Sequence, residues 1–368
     1  MKEARIDSLS IKSFRGIKNL TVENCGDVNI LLGDNNCGKT SLLEAIQFFR
    51  GPSFDNILNS LQDRNGEANQ SDFANLAYAF PNGRENIDMD AQINGKHVRV
   101  YLNHTIEDII FQKEMLLDEN VSADDYRYLL KYIDGKKLEG KKTKLMRISF
   151  AFNSFQRVYS LLPENFISQF MREKQKNRDL YSIHYQSPYS HFRISSSDIS
   201  YILRNEAYYK VFIKVLQIFD SNIQKVQLIE DENALRPEVY IQSGTSNPVP
   251  LSIYGDGMKK VISIASMIAQ STDGILLIDE IETSLHHSYY QDVFSFLIKA
   301  CKAFHIQLFI TTHNEEVISS FASFNENNEA NASIQFYTLR KKEDGSYIRS
   351  LSDLELRRYQ SLGIEVRQ

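Results

Sequence analysis

Cysteine is scarce in this chain: Cys25, Cys37 and Cys301 stand far apart among 368 residues. That spacing excludes a disulfide framework and a thiolate metal site, and it suits a reducing compartment. No apolar run is long enough to cross a bilayer, and the first residues are charged where a leader would be apolar. A cytoplasmic protein without membrane contact is therefore expected. Nor does one sign of charge dominate. Lys and Arg number 42 against 47 Asp and Glu, a net charge of −5, so any contact with nucleic acid must come from a local patch. Repeats are absent, and no heptad pattern outlasts a few turns, which excludes a long coiled-coil arm. What remains is a globular composition, 42% hydrophobic and 24% charged, long enough for one large core with an inserted lobe or for two domains.

The most informative stretch present is Asn29 to Ser41. It reads as a short apolar strand, a glycine-bounded loop and a helix from Ser41 to Phe49, with Leu42, Leu43 and Ile46 on one face. Gly33, Gly38, Lys39 and Thr40 satisfy G-x-x-x-x-G-K-[ST], the phosphate loop. Glycines let backbone N–H groups curl around phosphate oxygens, and the helix N-terminus adds partial positive charge. Asn35, Asn36, Cys37 and Ser41 lie within the same turn as candidate nucleotide contacts, Cys37 being small where the backbone passes close to a ligand. Lys39 can reach the β- and γ-phosphates, and the Thr40 hydroxyl can ligate Mg²⁺.

A second apolar run, Ile275 to Ile278, ends in Asp279 and Glu280, so two acids stand at the carboxyl end of a buried parallel-type strand. Asp279 fits a Mg²⁺-organising carboxylate and Glu280 the group that polarises an attacking water, while Glu282 is either catalytic or structural. A third strand, Ile306 to Ile310, leads into Thr311-Thr312-His313-Asn314. His313 either meets the γ-phosphate and its water or caps the next helix. Gly255, Asp256 and Gly257 precede an apolar helix, as an anion-binding turn or a simple cap.

Elsewhere the signals are weaker. Residues 5–11 alternate as a strand paired with 20–22, with Arg15 between them near the nucleotide or simply solvated. Residues 87–93 and 97–101 form a hairpin turning at Asn94-Gly95, and 333–339 pairs with 346–351. Residues 104–180 read as helical runs around a lysine-dense loop (Lys136, Lys137, Lys141, Lys142, Lys144), followed by Arg172, Lys174, Lys176 and Arg178. These contact nucleic-acid phosphates or form a solvated surface. Residues 181–202 open with a strand that ends at Pro188 and carries Gln186, a candidate contact to Mg²⁺ or water; 203–230 has helical periodicity.

The ordered set SFRGI (Ser13 to Ile17), GDNNCGKTS (Gly33 to Ser41), YGDGMKK (Tyr254 to Lys260), ILLIDEIETSLHHS (Ile275 to Ser288), LFITTHNEE (Leu308 to Glu316) and GIEVR (Gly363 to Arg367) resembles the ABC-type ATPases. Within them it is most similar to the OLD-like (overcoming-lysogenization-defect) and SMC-like heads of the AAA-family ATP-binding group. The resemblance implies an α/β head, with a phosphate-loop parallel core sheet, an antiparallel β subdomain and an inserted helical lobe. Residues 1–103 and 236–368 would form the two parts of the head and 104–235 the mainly helical insert. Carried over by position, Arg15 and the phosphate loop would hold ATP. Asp279 would support Mg²⁺ with Thr40, Glu280 would be the catalytic base and His313 the switch histidine. Gly255 to Gly257 would be the signature turn that touches ATP on a second subunit, with 283–286 coupling the two sites. Gly255 stands where a signature serine is usual, which removes one hydroxyl donor, worth about 1 kcal/mol, and suggests slow turnover. About fifty residues follow His313, too few for the nuclease domain of OLD-type relatives. A homodimer or higher homo-oligomer, a separate protein effector in bacterial anti-phage defence, and contact with nucleic acid as the alternative, are the implied partnerships.

Overall fold

The computed structural model describes residues 3–52, 80–81, 86–112, 140–161, 179–194, 196–230, 237–327, 332–342, 345–352, 355–356 and 358. Lys136, Lys137, the basic run from Arg172 to Arg178, and Gly363 to Arg367 lie outside them.

In chain order the strands are β1 (Ile6–Phe14), β2 (Ile17–Val22), β3 (Val28–Leu32), β4 (Ile87–Ile93), β5 (Lys96–Ile110), β6 (Lys142–Phe152), β7 (Phe155–Leu161), β8 (Ile183–Gln186), β9 (Ile223–Ile229), β10 (Glu238–Ser243), β11 (Val249–Pro250), β12 (Ile275–Ile278), β13 (Gln307–Thr311), β14 (Ile334–Lys342) and β15 (Gly345–Leu351). The α-helices are α1 (Lys39–Gln47), α2 (Ser196–Leu203), α3 (Glu206–Leu216), α4 (Asp256–Gln270), α5 (Tyr290–Ala303) and α6 (Glu315–Asn327).

The central sheet runs β15-β14-β3-β13-β12-β8, parallel throughout except for the β14–β15 hairpin. Its inner strands are buried on both faces, every residue of β3, β12 and β13 included, which is why they read as unbroken apolar runs. An antiparallel sheet, β2-β1-β4-β5-β6-β7, covers one face together with α1, and Leu31, Leu277 and Phe309 share its core. Leu32, Ile278 and Ile310 belong to the other core, with α2 to α6 and the small sheet β11-β10-β9. Gln307 fastens the two sheets together: its side chain exchanges bonds with both backbone groups of Ile6, at 2.8 and 2.9 Å.

Several expectations need correction. Residues 142–161 are strands, not helical runs. Leu145, Met146, Ile148, Phe150 and Phe152 are buried while Arg147 and Ser149 are exposed, so period-two alternation governs from Met146 onward. Lys142 and Lys144 accordingly sit on β6 rather than in a loop. The periodicity after residue 203 ends with α3; an Asp220-Ser221-Asn222 turn follows, in which Asp220 caps the Asn222 N–H, and β9 begins at Ile223. Helices within the described part of 104–235 are thus α2 and α3 and the short turn Ser190–Arg193, while β8 lies in the central sheet beside β12. Helix α1 starts at Lys39, two residues before the expected Ser41, and is buried on all sides rather than on one face.

Gly274 marks the tightest approach in this sheet. A Cβ there would lie 2.3 Å from the Ser182 carbonyl oxygen, where Ile275 N–H now donates to that oxygen at 2.8 Å. Gly274→Ala is therefore expected to push β8 from β12 and to lower stability by about 2–3 kcal/mol, read from the urea midpoint.

Candidate active site

Three parallel strands end together. β3 delivers the phosphate loop, β12 delivers Asp279 and Glu280, and β13, lying between them, delivers Thr311 and, two residues on, His313. At their carboxyl ends opens a cleft of about 480 Å³ lined by Asn35, Asn36, Gly38, Lys39, Thr40 and Ser41 on one side. Asp279, Glu280, His313, Tyr185 and the segment from Ser187 to Tyr189 complete the wall. This is where open α/β sheets take their ligands.

The loop is built by its backbone. Gly38 caps α1 with φ 109° and Asn36 has φ 65°, the left-handed turns that aim successive N–H groups inward. Gly33 has φ 140°, and a Cβ there would meet the Leu339 carbonyl at 2.5 Å. The Lys39 stem is buried; its ammonium donates to the carbonyls of Gly33 at 2.7 Å and Asp34 at 2.9 Å. Cys37 and Gly33 do not line the cleft. Cys37 packs beneath the loop, where burial pushes its thiol pKa up, so its smallness serves packing rather than ligand contact.

The acids are held chiefly by Thr311 and Tyr185, to which the sequence reading gave no role. Thr311 Oγ1 donates to Asp279 Oδ1 at 2.5 Å and accepts from the Glu280 N–H at 2.8 Å, which fixes both acids from the neighbouring strand. Tyr185 donates to the other Asp279 oxygen at 3.2 Å. Glu280 takes a positive φ of 46° and accepts from Thr283 at 3.3 Å. The signal for Thr311 was a hydroxyl at the end of the strand next to the acidic one; nothing in the sequence singled out Tyr185. Thr311→Val, similar in shape, is expected to cost about 1–3 kcal/mol of stability, measured by urea unfolding, because it removes the hydroxyl partner of a buried carboxylate.

Glu282 emerges as the anchor of His313. Its Oε1 accepts from the His313 N–H at 2.9 Å and lies 3.1 Å from the ring Nδ1, while the imidazole is half-exposed at the cleft. Gln186 is fully buried, and its side chain has no partner among the described residues; its carbonyl accepts from the Asp279 N–H at 3.0 Å. It does not line the cleft. Arg15 does not line it either. Glu44 of α1 is completely buried and needs a cation, and Arg15 lies 3.3 Å from it. Gly255, Asp256 and Gly257 open α4 away from the cleft wall; Gly255 and Asp256 are exposed.

The donor set suits a nucleoside triphosphate with magnesium. Hydroxyl and carboxylate oxygens from Thr40 and Asp279 share the cleft, the hard ligands Mg²⁺ prefers. Each Asp279 oxygen accepts one bond and retains a lone pair.

Fold and cleft together define a phosphate-loop ATPase head of the ABC type. The chain belongs to the family described as "AAA domain, putative AbiEii toxin, Type IV TA system", whose pattern matches residues 28–319. It is 26% identical over 333 residues to an ATP/GTP phosphatase of Helicobacter pylori, covering 85% of this chain and 86% of that one. A shorter match, 31% over 105 residues, is to the DNA replication and repair protein RecF of Oenococcus oeni, spanning 28% of this chain and 26% of that one. The fold is that of SMC heads: the Pyrococcus furiosus Smc head, solved with an extended coiled coil and bound to the C-terminal domain of ScpA, superposes with a TM-score of 0.50 at 12% identity. That superposition covers 99% of this chain and 100% of that one.

Proposed function

We propose that this chain hydrolyses ATP with Mg²⁺ in a closed homodimer, and that the nucleotide state gates a separate protein effector in bacterial anti-phage defence. The observation that carries the reading is the single cleft that gathers Lys39, Thr40, Asp279, Glu280 and His313 from three strand ends. Lys39 and the loop N–H groups bind the phosphates. Glu280, fixed through its backbone by Thr311, orients and deprotonates the attacking water. His313, held by Glu282, contacts the γ-phosphate or that water. Thr40 and Asp279 would hold magnesium, which would supply positive charge to offset that of the phosphate oxygens.

The signature turn supports the dimer. Gly255 to Gly257 lie outside the wall of their own cleft, as a turn that completes a partner's site must. Among the described residues no helix is long and apolar enough to cross a membrane, and the working site is taken to be the cytoplasm. The family description names a toxin–antitoxin system, which favours a defence role. Phosphate release from ATP with and without Mg²⁺, followed by identification of the protein that co-purifies only with ATP present, tests both halves of the reading.

The match to RecF favours a second reading, a DNA-binding repair or recombination ATPase. It expects salt-sensitive DNA binding that weakens when Lys142 and Lys144 are changed to Glu.

A further inference from the structure

Lys260 is a cation with no assigned task. It sits on the second turn of α4, its side chain is completely buried, and its ammonium has no hydrogen-bond partner among the described residues. An isolated buried ammonium is among the costlier groups a core can hold, so a compensating charge must lie near. Burial draws its pKa down to about 8, and the carboxylates that oppose this fall are, in order, Glu282, Asp279 and Glu280.

These three acids are not equally open. Both Asp279 oxygens are engaged, by Thr311 and Tyr185, and Glu280 Oε2 accepts from Thr283. Glu282 differs: its Oε1 holds His313, while its Oε2 is buried with no partner among the described residues. Lys260 Nζ and Glu282 Oε2 are therefore two opposite charges, both buried and both lacking a partner. Nearby groups are incomplete in the same way. Gln186 Oε1 and Nε2 have no partner among the described residues, and Gln186 stands beside Ile278 at the end of β8. The face of α4 that carries Lys260 packs on the segment after Glu282: a Cβ on Gly257, three residues before Lys260, would lie 3.1 Å from the Ser284 carbonyl oxygen.

We propose that Lys260 is a positioning residue for His313: its buried charge holds Glu282, and Glu282 holds the histidine at the cleft. This rests on the ATPase reading of the cleft. It makes α4, known so far only for its N-terminal turn, the element that sets the switch histidine in its own subunit.

The test compares Lys260→Met, Lys260→Arg, His313→Ala and the Met/Ala double variant with the wild-type protein. Met keeps the length of the buried stem without its charge, and thermal unfolding of each variant checks that it is folded. Binding of a fluorescent ATP analogue is expected to stay within about threefold in Lys260→Met while turnover falls about 10- to 100-fold. Lys260→Arg should recover most of that turnover, and Lys260→Met should cost nothing further once His313 is Ala. Nitrogen NMR of the nucleotide-free protein supplies a readout that needs no hydrolysis: the His313 ring signals shift in Lys260→Met and return in Lys260→Arg. Equal damage by Met and Arg, a full loss in the His313→Ala background, or His313 signals unmoved by Lys260→Met would each overturn the proposal. Absence of turnover in the wild-type protein would instead overturn the reading of the cleft, and the NMR arm would still decide the role of Lys260.

Discussion

Glu280→Gln is expected to lower ATP turnover by about 10²- to 10³-fold with ATP affinity nearly unchanged. The substitution keeps size and hydrogen bonding but removes the lone pair that accepts the water's proton. It leaves the Thr311 contact alone, since that bond is made by the Glu280 backbone N–H and not by the side chain. It also leaves Asp279, whose oxygens are fixed by Thr311 and Tyr185. A split between binding and turnover is thus the expected signature, read by calorimetry beside a phosphate-release assay. Equal turnover in Glu280→Gln and wild type would remove Glu280 from the chemistry.

Lys39→Met should do the opposite and weaken binding itself. The ammonium forms two charge-assisted bonds to loop carbonyls, and Lys39 lines the cleft where phosphate oxygens would enter. Its loss is expected to weaken ATP binding by about 100-fold or more, equivalent to ~3 kcal/mol. The Lys39 stem is buried, and Met fills the same channel, so thermal unfolding should change little. Unaltered ATP uptake by this variant would mean that the loop is not the phosphate site.

The central sheet was legible because its strands are buried on both faces and therefore spell themselves as apolar runs, Ile275 to Ile278 above all. The phosphate loop was legible because its backbone demands glycine at φ values that few other residues tolerate. Strand β6 was missed since the exposed Lys142, Lys144 and Arg147 stand among its buried side chains, and clustered charge masks period two. Arg15 was misplaced for a physical reason. Its partner, Glu44, lies 29 positions away on a helix whose complete burial no amphipathic pattern announces. Thr311, Tyr185 and Glu282 act through contacts across strand ends, and such contacts exist only once the register Ile278 to Ile310 is known. Sequence order places them dozens of residues apart.

The claim on which the account depends is that one copy's signature turn closes the other copy's nucleotide cleft. Gly255 offers the most direct probe. It is exposed, a Cβ added there meets nothing within 4 Å among the described residues, and Asp is a favoured residue at the helix N-cap that Gly255 occupies. Gly255→Asp should therefore fold normally while placing negative charge against a partner's γ-phosphate. Sedimentation of Glu280→Gln with ATP and Mg²⁺ should show a dimer, and the same protein carrying Gly255→Asp should bind ATP yet remain a monomer. A Glu280→Gln, Gly255→Asp protein that dimerises with ATP as readily as Glu280→Gln alone would contradict the account.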